Sequence, residues 1–462
     1  MNQYEKLPSS PTMFNPNRVF VRDLGSKILL IDQMNAHWVM VENSYWPLLS
    51  LLQSPEVPQN LNSQVAGLRN LLIENGIGVG ERPDPQDLNT VIIKLTKKCN
   101  IACTYCYDFE NGDLAQHGDV DALKDALTQA LNIVPEGKTL HIIFHGGEPM
   151  LVWDMLETLV CHGETEASKL GRRISFQGQT NLTTLTARKV AFSEAHNIAW
   201  GISLDGTADI NDRFRKRTDG KGSYAQFERS YQRYGDFVRS FPILSTITIA
   251  NCDKLLETAL HFRDLNMAGW DWSLFQPIGR ARDKIDHIGI DNDALLASWQ
   301  ELFGAILQGT FDGFPVQPVL KYLKNFIQGP GENMCMRPRC GAARDLLSIS
   351  YDGAIEACDC LDRQGPLSPL GFLDETSLAE ASETEIAQKI KERDTVKDHC
   401  SNCLWFGVCG GTCLAHAGGL QSVDELHCAL SQLAFGSIAR SLSESTRLFD
   451  YLRSCTNDQG RL

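Results

Sequence analysis

Cys99-Asn-Ile-Ala-Cys103-Thr-Tyr-Cys106 closely follows an apolar run at residues 91–95. A short apolar run bounded by polar residues reads as a buried strand, and the cysteines as the loop beyond its carboxyl end. Three thiols spaced C-x3-C-x2-C can converge on one face of a tight loop. A [4Fe–4S] cluster normally takes four thiolates, so this loop would leave one iron open to a small molecule. Zinc stays open as the alternative, although its structural sites favour paired C-x2–4-C knuckles and four protein ligands.

Outward from that loop, residues 140–144, 174–176, 199–204, 243–249 and 270–275 read as further strands. Helical stretches such as Val120–Ile133, 151–170 and 185–196 lie between them. Six strand–helix units imply a parallel sheet with right-handed crossovers. Three strand ends carry polar signatures: His145-Gly146-Gly147-Glu148-Pro149, Thr180-Asn181 and Ser203-Leu204-Asp205-Gly206. Paired glycines let the backbone approach a ligand closely, and a carboxylate there can pair with an ammonium group. Each segment alone would also serve as a strand-end turn.

The cysteine spacing, with Tyr105-Cys106-Tyr107, resembles the signature of the radical S-adenosylmethionine (SAM) superfamily. The resemblance implies an incomplete (β/α)6 barrel over residues 83–328, with its site at the carboxyl ends of the strands. It implies that Cys99, Cys103 and Cys106 hold a [4Fe–4S] cluster whose open iron chelates the amino and carboxylate groups of SAM. Gly146, Gly147, Glu148 and Pro149 match the motif that contacts the methionine moiety. Tyr105, Asn181, Ser203 and Asp205 complete the implied SAM-side residues, Ser203 reaching the ribose or carboxylate. Leu182 stands where relatives have glycine, which predicts a different local turn.

The cysteines after residue 329 form a second pattern. Cys340 is followed by Gly353 and Cys358, then by Cys400-x2-Cys403-x5-Cys409-x3-Cys413, and finally by Cys428. This resembles the seven-cysteine SPASM extension, which houses two auxiliary Fe–S clusters of the [4Fe–4S] type, with Cys335 as an eighth ligand. The family's interleaved order implies one set of Cys335, Cys340, Cys358 and Cys413, and another of Cys400, Cys403, Cys409 and Cys428. A zinc ribbon at Cys400-x2-Cys403 is the alternative. Cys360 is surplus, either another ligand or a free thiol, while Cys161, Cys252 and Cys455 read as buried structural thiols. Asp359 follows Cys358. In anaerobic sulfatase-maturing relatives an aspartate at the matching place accepts a proton, although a solvated loop aspartate would look the same.

Ahead of the barrel, residues 18–32 read as two strands and 38–41 as a third, with helices after residue 43 and over 63–75, and an edge strand at Ile77-Gly78-Val79. Residues 1–82 thus resemble the small α+β winged-helix domain that captures a leader peptide by strand addition; a mere cap on the barrel is the alternative. Residues 81–87 read as a linker. The fold class is α/β: a partial barrel between this module and a cysteine-rich domain over residues 329–462.

Composition narrows the partners. The chain has 462 residues, 43% hydrophobic and 22% charged, with a formal net charge of −14, which disfavours nucleic acid. No secretory signal and no membrane-length apolar run is visible, so a cytoplasmic protein is expected. In a reducing compartment clustered cysteines among fifteen point to metal rather than disulfides. The expected function is a radical SAM maturase of a ribosomally made precursor peptide, with an electron donor such as flavodoxin or ferredoxin. The alternatives are a sulfatase-maturing (formylglycine-generating) enzyme and a non-enzymatic Fe–S carrier or zinc scaffold.

Overall fold

Every residue of strand β4 (Thr90–Thr96) is buried, as expected of a strand covered on both faces of a parallel sheet. The computed structural model describes residues 14–52, 58–80, 87–108, 116–330, 335–337, 340–393 and 399–456. The proposed linker at 81–87 falls almost wholly outside them, as does most of the N-terminal arm.

From β4 the chain alternates strand and helix: α2 (Val120–Ile133), β5 (Thr139–Gly146), α3 (Trp153–Leu170), β6 (Arg173–Thr180), α4 (Ala187–Ala195), β7 (Ala199–Ser203), α5 (Tyr224–Arg233), β8 (Ile243–Ile247), α6 (Leu255–Asp264) and β9 (Trp270–Leu274). Strands β4 to β9 are neighbours in sequence order, all parallel. This is the expected six-stranded partial barrel. Helix α2 shows why its segment folds as it does. Asp119 accepts the Asp121 and Ala122 amides as N-cap, and Leu123, Ala126, Leu127, Ala130 and Leu131 make one buried stripe at helical spacing.

Helices α7 (Asn292–Leu307) and α8 (Gln317–Gln328) follow. The same sheet then continues past residue 329. Strand β10 (Leu346–Ile349) pairs in parallel with β4, and β11 (Ala354–Glu356) and β12 (Gly371–Phe372) add on antiparallel. The Cys358 turn is thereby hung beside the cysteine loop after β4. The chain closes with α9 (Glu425–Glu444) and α10 (Arg447–Thr456).

The N-terminal module is an antiparallel sheet of β1 (Val19–Asp23), β2 (Lys27–Asp32) and β3 (Trp38–Glu42), with α1 (Asn62–Glu74) over its own apolar core. The expected edge strand at Ile77-Gly78-Val79 is instead a turn. Gly76, Gly78 and Gly80 all have positive φ, which breaks an extended run. The Gly78 amide donates to Asp32 Oδ2 at 2.7 Å, and its carbonyl accepts from Asn15 at 2.8 Å.

This module is fastened to the far end of the chain. Gln33 Nε2 donates to the carbonyls of Cys400, Ser401 and Cys403 at 2.9, 2.8 and 3.1 Å. Trp38 Nε1 donates to the Phe326 carbonyl at 2.6 Å, and Arg22 lies over the Trp405 ring. Gly407 packs so closely that a Cβ would stand 2.8 Å from the Gln33 carbonyl oxygen. Overpacking of this kind costs about 1–3 kcal/mol. Gly407→Ala should therefore raise the rate of limited proteolysis between module and barrel roughly tenfold, the equivalent of ~1.4 kcal/mol. Cleavage at the parental rate would show that the docking is looser than this contact implies.

Candidate active site

The cysteine loop is stitched down from two sides. The Ala102 and Thr104 amides donate to the Lys216 and Phe214 carbonyls at 2.6 and 2.9 Å. The Arg280 amide donates to the Cys106 carbonyl at 2.9 Å. Gly279 packs where a Cβ would fall 2.3 Å from the Tyr107 carbonyl oxygen. So held, Cys99, Cys103 and Cys106 face one another. Burial raises the Cys106 thiol to about 12, with Cys103 and Asp108 adding to it. Burial, Glu148 and the other two thiols push Cys99 up as well. A cationic iron–sulfur cluster relieves this strain by displacing the thiol protons, so the donor set fits the group.

Beneath the thiols lies a residue that sequence reasoning missed. Arg215, 7% exposed, sends Nη1 to within 3.6 Å of Cys103 Sγ and lies over the Tyr105 ring. Tyr105 donates its hydroxyl to Asp205 Oδ2 at 2.5 Å, and the Thr246 amide donates to Asp205 Oδ1 at 3.0 Å. Tyr105 and Asp205 thus brace the loop from below. Nothing in the spacing marks Arg215; only the fold carries it there.

Glu148 is 1% exposed. Its Oε1 accepts the Met150 amide and the Thr180 hydroxyl at 3.0 and 2.7 Å, and its Oε2 accepts the Asn181 amide at 2.7 Å. It ties the turn after β5 to the end of β6. At Gly147 a Cβ would meet the Lys98 carbonyl oxygen at 2.2 Å, and Pro149 opens the short turn Pro149–Val152. Gly146 has φ +109. Asn181 Nδ2 donates to Asn100 Oδ1 at 3.0 Å and lies 3.8 Å from Cys99 Sγ. Leu182 adopts φ +59, a left-handed conformation costing a non-glycine residue about 1–2 kcal/mol. Burying its whole side chain contributes roughly 1.5–3 kcal/mol, so the turn keeps a glycine-like backbone without glycine. Ser203 Oγ accepts from Gln179 Nε2 at 2.6 Å.

The later cysteines gather into two groups. Cys335 stands beside Cys340, Cys413 and Cys358, and desolvation of its thiol in their company raises it, although the residue as a whole is exposed. Cys360 joins this group, its sulfur within 4.8 Å of Cys358 Sγ and an Asp359 oxygen. Cys400, Cys403, Cys409 and Cys428 line a second cavity, where burial and neighbouring thiols push Cys400 to about 11 and Cys409 to about 12. Of the three expected structural thiols, Cys252 and Cys455 are buried, but Cys161 is exposed on α3.

Between the first thiol loop and the Cys358 turn lies a cavity of about 320 Å³ lined by Lys94, Tyr107, Asp108, Asp359 and Arg363 among others. Asp359 is 8% exposed, so it is no solvated loop residue. Its Oδ2 accepts the Tyr107 hydroxyl at 3.1 Å, and that oxygen lies 3.3 Å from His145 Nδ1. Below them Lys94, 1% exposed, is 3.0 Å from Asp108, 3.4 Å from Glu356 and 3.1 Å from the Asp359 carbonyl. Burial opposes its charge, but Asp108, Glu356 and Asp359 more than offset that and raise its pKa. Lys94→Met would strand the buried Asp108 carboxylate, while Glu356 keeps Arg363 at 2.8 Å; breaking such a buried pair typically costs about 3–5 kcal/mol. Denaturant unfolding should show that loss, and Lys94→Met/Asp108→Asn should recover part of it. Equal stability of the single and double variants would place the charge balance elsewhere.

Residues 93–250 match a family model described as the Radical SAM superfamily. The chain is 23% identical over 345 residues to a cysteine-type anaerobic sulfatase-maturating enzyme of Clostridium novyi (strain NT), covering 71% of this chain and 88% of that one. It is 23% identical over 343 residues to a serine-type enzyme of Klebsiella aerogenes, covering 73% and 82%. Among solved structures it resembles anSMEcpe with bound AdoMet, with a TM-score of 0.68 and 19% identity over 78% of this chain and 99% of that one. It also resembles SuiB of Streptococcus suis bound to its precursor peptide SuiA, with a TM-score of 0.53 and 13% identity over 89% and 98%. Among the described residues no helix is long and apolar enough to cross a membrane.

Proposed function

We propose that this chain is a radical SAM enzyme that modifies a ribosomally made peptide, forming an oxidative cross-link or a related change at a side chain. The observation that carries the reading is the cavity shared by the cysteine loop and the Cys358 turn, with Asp359 held at its wall by Tyr107. Cys99, Cys103 and Cys106 would hold the [4Fe–4S] cluster, and the turns at Gly146–Pro149, Asn181 and Ser203 would shape the side where SAM binds. When bound, cluster and SAM supply a 5′-deoxyadenosyl radical, an oxidant able to take hydrogen from an unactivated C–H bond. Asp359 Oδ1 then takes the substrate proton while Oδ2 keeps Tyr107 in place. The two later thiol groups would hold auxiliary [4Fe–4S] clusters, which would supply an acceptor for the substrate electron, and a flavodoxin- or ferredoxin-like donor would supply the electron that SAM cleavage consumes.

A peptide is favoured over a folded protein by the N-terminal module. Its sheet has two outer strands, β1 and β3, and an outer strand is a template for strand addition. The likeness to SuiB covers 89% of the chain, more than residues 87–462 can supply, so it reaches into this module. The second reading, formylglycine formation, is favoured by the Asp359 position and by the names of the relatives.

One experiment separates them. The anaerobically reconstituted enzyme is given SAM, dithionite and either short peptides encoded beside its gene or the Cp18Cys peptide that anSMEcpe binds. Loss of a hydrogen pair from a neighbouring peptide supports the first reading, and conversion of Cp18Cys alone supports the second. Removing the N-terminal leader of an accepted peptide should lower kcat/KM roughly tenfold or more, about 1.4 kcal/mol of binding. An unchanged value would make the module a cap.

A further inference from the structure

Beyond the thiol groups, a cluster of a different chemistry stands where the two later groups meet. His416 lies on the turn Leu414–Ala417, Asp424 is the N-cap of α9, and His427 sits in the first turn of that helix. One ligating atom from each falls within 4.8 Å of the others. The imidazoles meet edge to face with centroids 4.7 Å apart, and His427 Nδ1 lies 3.1 Å from Asp424 Oδ1. The loop between them is closed by the Asp424 amide donating to Thr412 Oγ1 at 2.8 Å. The ordinary account covers Asp424 and His427, a capping carboxylate and a helix histidine paired with it. It leaves out His416, whose ring nitrogens have no hydrogen-bond partner among the described residues.

We infer that His416, Asp424 and His427 form a mononuclear site for a divalent transition ion of the zinc type. Two imidazoles and a carboxylate suit zinc or iron(II), whereas magnesium and calcium favour all-oxygen shells. Zinc holds nitrogen and oxygen ligands at about 2.0–2.2 Å, so shifts on the order of 1 Å in side-chain position bring the three donors into a shell. Asp424 and His427 keep 22% and 24% of their side chains exposed, which leaves a path for the ion and room for water as a fourth ligand. Cys413 of one thiol group stands three residues before His416, and Cys428 of the other directly follows His427. The ion therefore cross-links the two cluster-bearing loops without using a cysteine.

The test uses the full chain with its clusters loaded, dialysed anaerobically against zinc chloride and washed. Elemental analysis should find about one zinc per chain and at least a fivefold loss of it in His416→Gln and in Asp424→Ser, with iron unchanged. Serine keeps the helix N-cap, so a folding defect is not the expected cause. X-ray absorption at the zinc edge of the parent protein should show only nitrogen and oxygen neighbours at about 2.0–2.2 Å. A sulfur shell near 2.3 Å would place the zinc in a thiol group and overturn the assignment. So would a parent protein that retains no zinc, or variants that retain it in full. If a variant loses iron as well, the parent's absorption spectrum decides.

Discussion

Replacing Cys99, Cys103 and Cys106 together with alanine should remove about a third of the iron, about four of twelve atoms per chain, and abolish 5′-deoxyadenosine formation. The first loop has no reserve. Cys103 and Cys106 stand beside Cys99, and the later cysteines gather around other loops. The backbone hydrogen bonds of Ala102, Thr104 and Cys106, and Arg215 over the Tyr105 ring, would keep the loop in place without its sulfurs. The variant should therefore stay folded, and iron analysis with product chromatography reads the result. Continued SAM cleavage would sink the assignment of this loop.

Asp359→Asn should separate two events that the parent enzyme couples. The amide keeps the shape and can still meet Tyr107, but it cannot take up a proton. A general base contributes on the order of 10²–10⁴-fold to its step, so modified peptide should fall by that factor. Hydrogen abstraction precedes deprotonation, so 5′-deoxyadenosine should still form, now without matching product. A normal product yield per 5′-deoxyadenosine would make Asp359 a bystander. The expectation rests on geometry: 8% exposure, a hydrogen bond to Tyr107 and a place on the cavity wall.

The strands and thiol groups were legible because each leaves a local mark. An apolar run bounded by turns reads as a strand, and a C-x3-C-x2-C spacing keeps its meaning whatever surrounds it. The residues that balance charge leave none. Lys94 interrupts an apolar run, and only the later arrival of Asp108 and Glu356 explains a lysine there. Arg215 lies 112 residues from the sulfur it approaches. Glu148 was expected at the ligand, yet most of its hydrogen-bonding capacity is spent joining two turns. Ile77-Gly78-Val79 misled because its apolar alternation mimics a strand, while its glycine dihedrals and the Asp32 bridge make it a turn. Leu182 misled in the other direction, since burial offsets a backbone conformation that the side chain alone would disfavour.

Gln33 and Cys400 are hydrogen-bonded across 367 residues of chain. During synthesis the β1–β3 sheet emerges before its docking surface, and it has an apolar core of its own. The surface it rests on, at Phe326, Cys400, Cys403 and Trp405, is made later, and on the proposed reading the Cys400–Cys403 knuckle is complete only once its cluster is bound. Until then Trp38 and the Gln33 amide face water. On that reading a metal held by late cysteines would settle where a sheet made early in synthesis sits. If so, cells short of iron–sulfur assembly should accumulate this protein with the β1–β3 sheet undocked, a species that proteases cut more readily between module and barrel.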